Sequence, residues 1–291
     1  MNERRLIAIA SGKGGTGKTT LAVNLAGLMQ GPVTYVDCDV EEPNGHIFLN
    51  PGIEHSATVT IPVPHVDRDK CTGCGRCVEA CRFNALACVK GTVIVFSELC
   101  HGCGGCMLAC PEQAISEQGH EIGVVEKGHA NGVGFIQGRL NIGVPMSPPL
   151  IRAAKEAAPY EGTVIIDAPP GTSCPVIAAI KDCGFVVLVT EPTPFGLHDL
   201  ILAVETVRKL DIAFGVAINR CDNGDDRVLT YCKREKIPVL AEIPDDRRVA
   251  EAYSRGEIAI EAVPEMRAIF QQLERRINSL LLQSTGMRAG K

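Results

Sequence analysis

Residues 12–19 read Gly12-Lys13-Gly14-Gly15-Thr16-Gly17-Lys18-Thr19 and match G-x-x-x-x-G-K-[ST] at every position. No other segment restricts the fold as much. The loop follows a short apolar run, Leu6–Ala10, and opens a helical pattern, Thr19–Met29. Strand, glycine turn and helix in that order bring backbone N–H groups and a helix N-terminus around an anion. Side chains at the glycines would block the approach of phosphate oxygens. The expected phosphate-binding residues are therefore Gly12, Gly14, Gly15, Thr16, Gly17, Lys18, Thr19 and Thr20. Lys18 supplies a point charge to the β- and γ-phosphates, and the Thr19 hydroxyl serves Mg2+.

The rest of the chain fits that start. Short runs rich in Val and Ile recur at Val33–Val36, Val164–Ile166, Phe185–Val189, Phe214–Ile218 and Pro238–Leu240. Helical patterns separate them, at Pro149–Ala157, Leu197–Leu210 and Asp226–Lys236. Strands apolar on both faces and alternating with helices predict an α/β, doubly wound, mostly parallel sheet. Two further segments, Ile122–Glu126 and Gly138–Val144, read as short strands or turns. Pro264–Gln283 carries apolar residues at helical spacing and reads as a packed terminal helix, with a membrane-surface helix as the alternative.

Two carboxylate motifs end strands, where ligands bind in open α/β sheets. The first is Asp37-Cys38-Asp39, after Tyr35-Val36; the second is Asp167, after Val164–Ile166 and before Ala168-Pro169-Pro170-Gly171. An apolar strand ending in Asp is a Walker B arrangement, which places Asp167 to serve Mg2+ through its water shell.

Lys13, a second lysine early in the loop, resembles the deviant Walker motif of the MinD/ParA/nitrogenase-iron-protein group. That resemblance implies a P-loop ATPase binding ATP and Mg2+. It implies an ATP-dependent dimer, with a second copy or a related ATPase, in which Lys13 reaches the partner's nucleotide. By the same resemblance Asp39 orients the attacking water and Asp37 supports the metal and phosphate region. Lys13, Lys18, Asp39 and Asp167 are then the expected catalytic residues. Asn219, after the Phe214–Ile218 run, resembles the family's adenine-contacting position; satisfying a turn is its other reading.

The rhythm breaks between residues 61 and 118, beginning near Pro62 and Pro64. Nine of the 14 cysteines lie there. Cys71, Cys74, Cys77 and Cys81 form one C-x2-C-x2-C-x3-C run, and Cys100, Cys103, Cys106 and Cys110 form another. This is similar to the bacterial two-cluster ferredoxin pattern, in which the fourth cysteine of each run ligates the other cluster. The resemblance implies two [4Fe–4S] clusters, one on Cys71, Cys74, Cys77 and Cys110, the other on Cys100, Cys103, Cys106 and Cys81. Zinc is the competing metal, but two four-cysteine runs exceed what it needs. Arg82 follows Cys81 where the pattern has proline, as Cys110 is followed by Pro111. His101 reads as a loop histidine or as a group tuning a cluster. The expected organisation is a discontinuous ATPase domain, residues 1–60 and 119–291, with an inserted α+β bacterial-type ferredoxin domain at 61–118.

Six cysteines remain, and small buried thiols are the expectation for most. Cys174, seven residues after Asp167, resembles a cluster-ligating cysteine of the nitrogenase iron protein. The second cysteine that protein needs is missing from 139–150, so an intersubunit cluster on Cys174 is a minor reading.

Composition narrows the function. A net charge of −5 without a basic block argues against nucleic acid, and no run of 18 apolar residues suits a membrane span. Met1-Asn2-Glu3-Arg4-Arg5 carries no targeting pattern, so a cytoplasmic protein with reduced thiols is expected. The expected function is an ATPase whose nucleotide state gates electron transfer or docking through the clusters to a redox or iron–sulfur partner. The alternatives are a cluster scaffold or carrier, or a positioning ATPase of the MinD/ParA kind with a redox sensor.

Overall fold

The central parallel strands are apolar on both faces because helices pack on both sides of them. In the computed structural model, residues 4–288 are described, with side chains through residue 283; Met1–Glu3, read above for a targeting segment, lie outside the described residues. The chain begins with β1 (Arg5–Ala10), α1 (Lys18–Leu28), β2 (Val33–Asp37) and α2 (Gly45–Leu49). There follow β3 (Gly52–Val66), α3 (Arg76–Ala80), β4 (Leu86–Val89), β5 (Thr92–Val95), α4 (Gly105–Leu108), β6 (Ile115–Ala130), β7 (Val133–Leu140) and α5 (Pro148–Glu156). Regular alternation then resumes with β8 (Thr163–Asp167), α6 (Cys174–Ile180), β9 (Phe185–Thr190), α7 (Pro194–Lys209), β10 (Ala213–Asn219), α8 (Arg227–Arg234) and β11 (Val239–Ile243). The chain closes with α9 (Arg247–Ser254), α10 (Ala259–Ala262) and α11 (Pro264–Arg288).

One nine-stranded sheet has the order β11-β10-β9-β1-β8-β2-β7-β6-β3. Its strands from β11 to β7 are parallel, while β6 runs antiparallel to both β7 and β3. Successive residues of β1 serve opposite cores: Ala8 and Ala10 face one, Ile7 and Ile9 the other. Both faces are dry, so each buried Ile contributes roughly 1.5–3 kcal/mol. The expected doubly wound, mostly parallel sheet is present, and each strand expected within it is found with bounds shifted by a few residues. β8 and β9 flank β1, so the winding reverses there and leaves a crevice at the C-terminal ends of these strands.

The two segments read as short strands or turns are corrected. Ile122–Glu126 belongs to the 16-residue β6, and Gly138 lies in β7. Asn131 and Gly132 join them with φ of 49° and 81°, the left-handed pair that a two-residue hairpin turn requires. The expected boundaries at 60/61 and 118/119 fall inside β3 and β6. These strands pair from Gly52↔His129 to Val66↔Ile115, whereas β7 supports β6 only from Gly123 onward. Beyond that point Thr60–Val66 and Ile115–Glu121 run as a two-stranded arm, roughly 23 Å long at 3.3 Å per residue. Pro62 and Pro64 sit within β3 and do not end it. β3 is the sheet's edge, and an edge strand tolerates prolines two residues apart because both missing N–H groups face away from β6.

At the tip of the arm, the Asp67 N–H donates to Ala114 C=O at 2.8 Å and closes the neck of the cysteine-rich segment. That segment has α3, α4, the β4–β5 hairpin and a small core of Cys77 and Leu86 with Ile115. Ala85 and Cys100 join Ile61 and Val63 in the larger core, so the segment is packed against its arm.

α11 is a packed helix, as expected. Met266, Phe270, Leu273 and Ile277 are buried against α1 and β11. Leu273→Ala is expected to cost about 2–5 kcal/mol of stability, measured by urea unfolding. A change below about 0.5 kcal/mol would show that the helix is not part of the fold.

Candidate functional site

The glycine loop lies in the crevice at β1. Gly17 has φ 92°, and a Cβ there would also collide with the Asn219 amide, so only glycine fits. Cβ atoms at Gly14 and Gly15 would meet nothing within 4 Å, which leaves an open cradle over the loop. Gly14, Gly15, Gly17, Lys18, Thr19, Thr20, Asp39 and Asn219 line one large cleft.

Beneath it lies a buried acidic pair. Asp37 and Asp167 are register partners on β2 and β8 and are 0% and 1% exposed. Burial pushes both carboxyls up; proximity to Asp167 raises Asp37 further, while the Thr19 hydroxyl and Lys18 oppose the rise at Asp167. Burial lowers the Lys18 ammonium, against the pull of Asp167, Asp39 and Asp37. The Tyr35 hydroxyl lies 3.0 Å from Asp167 Oδ2 and 3.4 Å from Asp37 Oδ2. Asp37 accepts the backbone N–H groups of Asp39, Asn44 and Gly45 at 3.1, 3.1 and 2.9 Å. Its geometry is therefore that of a brace for the loop after β2, which positions Asp39. Burial raises Asp39 to about 6, with Lys18 opposing.

The site fits a magnesium nucleotide. Asp167 Oδ1 and Thr16 Oγ1 are buried without hydrogen-bond partners. Asp167, with Thr19 and Asp39 close to it, offers hard oxygen atoms of the kind Mg2+ takes through its waters. Asn219 is only partly free for a base: its Nδ2 donates to Thr16 C=O at 2.9 Å and braces the loop.

Several site residues escaped the sequence reading. Tyr35 is one, although it lies two residues before Asp37 on the same strand face. Pro244, Asp245, Asp246, Val249 and Tyr253 wall the far side of the cleft; their signal was a Pro-Asp-Asp run directly after β11. Lys13 does not line the cleft. Its Nζ lies 3.5 Å from Glu191 Oε2.

The eight clustered cysteines fall into two sets. One small cavity is lined by Cys71, Cys74, Cys77 and Cys110, and another by Cys81, Cys100, Cys103 and Cys106. Each set draws three cysteines from one run and the last from the other. Backbone N–H groups of Ala85, Gly102 and Ala114 donate to the sulfurs of Cys81, Cys100 and Cys110 at 3.3, 3.4 and 3.3 Å. Such bonds suit thiolates holding a cluster. Among the described residues all cysteines are free, and no three Cys, His, Asp or Glu side chains converge tightly enough for a single metal ion. Exposed His101 stacks on Phe83 with ring centroids 3.7 Å apart, beside the second cavity.

Of the six remaining cysteines, Cys38, Cys183 and Cys232 are buried, and burial pushes Cys183 and Cys232 up to about 12 and 11. Cys88 and Cys174 are exposed. Cys174 opens α6 and borders a cleft with Arg4, Arg152, Lys155 and Lys181; no second cysteine lines it.

Among the described residues, no helix is long and apolar enough to cross a membrane. The family described as the CobQ/CobB/MinD/ParA nucleotide binding domain matches residues 7–260. The uncharacterised proteins MJ0579 and MJ0578 of Methanocaldococcus jannaschii are 32% and 34% identical. These matches cover 88% and 74% of this chain, and 92% and 77% of those proteins. Among solved structures, the septum site-determining protein MinD of Pyrococcus horikoshii, complexed with Mg-ADP, has a TM-score of 0.59 at 21% identity, covering 95% of this chain and 97% of that one. The ATP complex of a Cyanothece McdA variant scores 0.57 at 17% identity, covering 96% and 98%. These structural likenesses concern the fold.

Two outcomes follow from the site. Lys18→Ala is expected to weaken Mg·ADP binding about 30-fold or more by calorimetry, as the loss of a buried charge contact does; unchanged affinity would remove the loop from binding. Asp39 sits above its ordinary value of 3.8, at about 6. Its ionisation thus opposes folding, and its contribution to stability falls as pH rises from about 4 through about 6. Asp39→Asn in nucleotide-free protein should therefore gain stability over the wild type above pH 6 and lose that gain near pH 4, read from thermal melts across pH.

Proposed function

Since the chain belongs to the CobQ/CobB/MinD/ParA nucleotide-binding family, we propose that it is a Mg·ATP-dependent switch ATPase carrying two [4Fe–4S] clusters at the end of its β3–β6 arm. In this reading Gly12 and Gly14–Thr20 cradle the phosphates, Lys18 neutralises their charge, Asp39 orients the attacking water, and Thr19 and Asp167 hold Mg2+. Two chains, or this chain and a related ATPase, close on ATP with Lys13 directed at the partner's nucleotide. Cys71, Cys74, Cys77 and Cys110 hold one cluster, and Cys81, Cys100, Cys103 and Cys106 the other. When bound, such clusters supply one-electron carriers. The reading places the protein in the cytoplasm with a redox or iron–sulfur partner.

The observation that carries the redox part is the pair of four-cysteine cavities. Coupling to the nucleotide is supported by the packing of β7. The Leu140 N–H donates to Val40 C=O at 2.8 Å, next to Asp39, and β7 is the hairpin partner of β6, which leads into the arm. A row of register partners also crosses the sheet: Asp167 with Asp37, Asp37 with Gln137, and Gln137 with Glu126. Gln137 Nε2 donates to Glu126 at 2.6 Å.

A second reading, a positioning ATPase whose cysteine segment senses redox state, is favoured by the comparisons, which bear on the nucleotide domain. Anaerobic purification tests the main one. About eight iron and eight sulfide per chain are expected, at four per cluster. Cys71→Ser and Cys110→Ser should degrade one and the same cluster although they lie in different runs, and Cys81→Ser and Cys100→Ser the other. Mg·ATP should shift at least one midpoint potential, and Lys18→Ala should abolish that shift. Potentials indifferent to nucleotide, together with ATP-dependent pelleting on DNA or anionic liposomes, would favour the positioning reading.

A further inference from the structure

Lys13 has a partner within its own chain. Glu191 directly follows β9, and its side chain is only 12% exposed. One carboxylate oxygen faces Lys13 Nζ at 3.5 Å, and the other accepts from Arg220 Nη1 at 2.6 Å. Lys13 and Arg220 are far more exposed, at 36% and 50%. The anion is thus held by the fold while both cations are on long, mobile stems. Arg220 has a further partner, Asp245, at 3.8 Å, and it lines the nucleotide cleft beside Asn219.

We infer that Glu191 is a positioning residue that tethers Lys13 to its own subunit until dimerisation. The inference rests on the dimer reading above. A lysine that must reach a partner's nucleotide cannot also hold this carboxylate at 3.5 Å, so closing the dimer breaks one such pair in each chain. Arg220 keeps the tether weak. It already takes the shorter contact, so Glu191 is never left as an uncompensated buried charge when Lys13 departs. Glu191 therefore sets how readily the ATP-bound chains associate, without touching the nucleotide.

The test is the dimer dissociation constant with Mg·ATP, by analytical ultracentrifugation, for the holoprotein and its Glu191→Gln variant. An exposed ion pair is worth at most about a fivefold shift per chain, and a dimer breaks two. Glu191→Gln is expected to tighten the dimer by about 3- to 25-fold, with Glu191→Asp in between and ATP affinity of the monomer unchanged. A dimer constant unchanged or weakened in Glu191→Gln overturns the tether alone. A wild-type chain that binds Mg·ATP and stays monomeric overturns the dimer reading and the tether together. If Glu191→Gln does not fold, labelling of Lys13 by an amine reagent in the nucleotide-free wild type decides. Labelling slower than at other exposed lysines and accelerated by high salt supports the tether, and a rate equal to theirs overturns it.

Discussion

The burial of two carboxylates side by side, Asp37 on β2 and Asp167 on β8, is the constraint on which the rest of the site depends. Both side chains are almost wholly buried. Two such groups resist ionising together in a dry sheet. The fold answers with donors from every direction: three backbone N–H groups on Asp37, the Tyr35 hydroxyl between the pair, and Thr19 and Lys18 from the glycine loop. Asp167 Oδ1 has none of these partners.

The loop after β2 also bonds to the strand next to β2. Val40 is bonded to β7, β7 pairs with β6, and β6 with β3 forms the arm bearing the cysteines. The arm is an edge extension of the sheet that binds nucleotide, and no separate linker intervenes. Prolines in β3 keep the exposed edge from pairing further.

Much of this was legible in the chain. The glycine loop, Asp167 and the parallel strands carry local signals that depend on few residues at fixed spacing. The cysteine runs do too, and the two cavities gather the same two sets that their resemblance to ferredoxins implies. β3 was not legible. Gly52–Thr58 is exposed on both faces without apolar alternation, and the alternating Val59, Ile61 and Val63 are interrupted by Pro62 and Pro64. The full length of β6 was hidden for the same reason. The Pro-Asp-Asp run was the one local mark of the cleft wall at Pro244–Tyr253, and the pairing of Lys13 with Glu191 was invisible because it joins residues distant in sequence.

The chemistry available was written locally in the chain, as a phosphate loop, carboxylates at strand ends and two thiol sets, because backbone turns and ligand spacing are local properties. How these parts meet was left to folding. It set Asp37 against Asp167, turned Asn219 into a brace for Thr16, paired Lys13 with Glu191 and placed the cysteines on an arm of the nucleotide sheet. Those outcomes depend on strand register and long-range packing, which are fixed only once the chain has closed around its two cores.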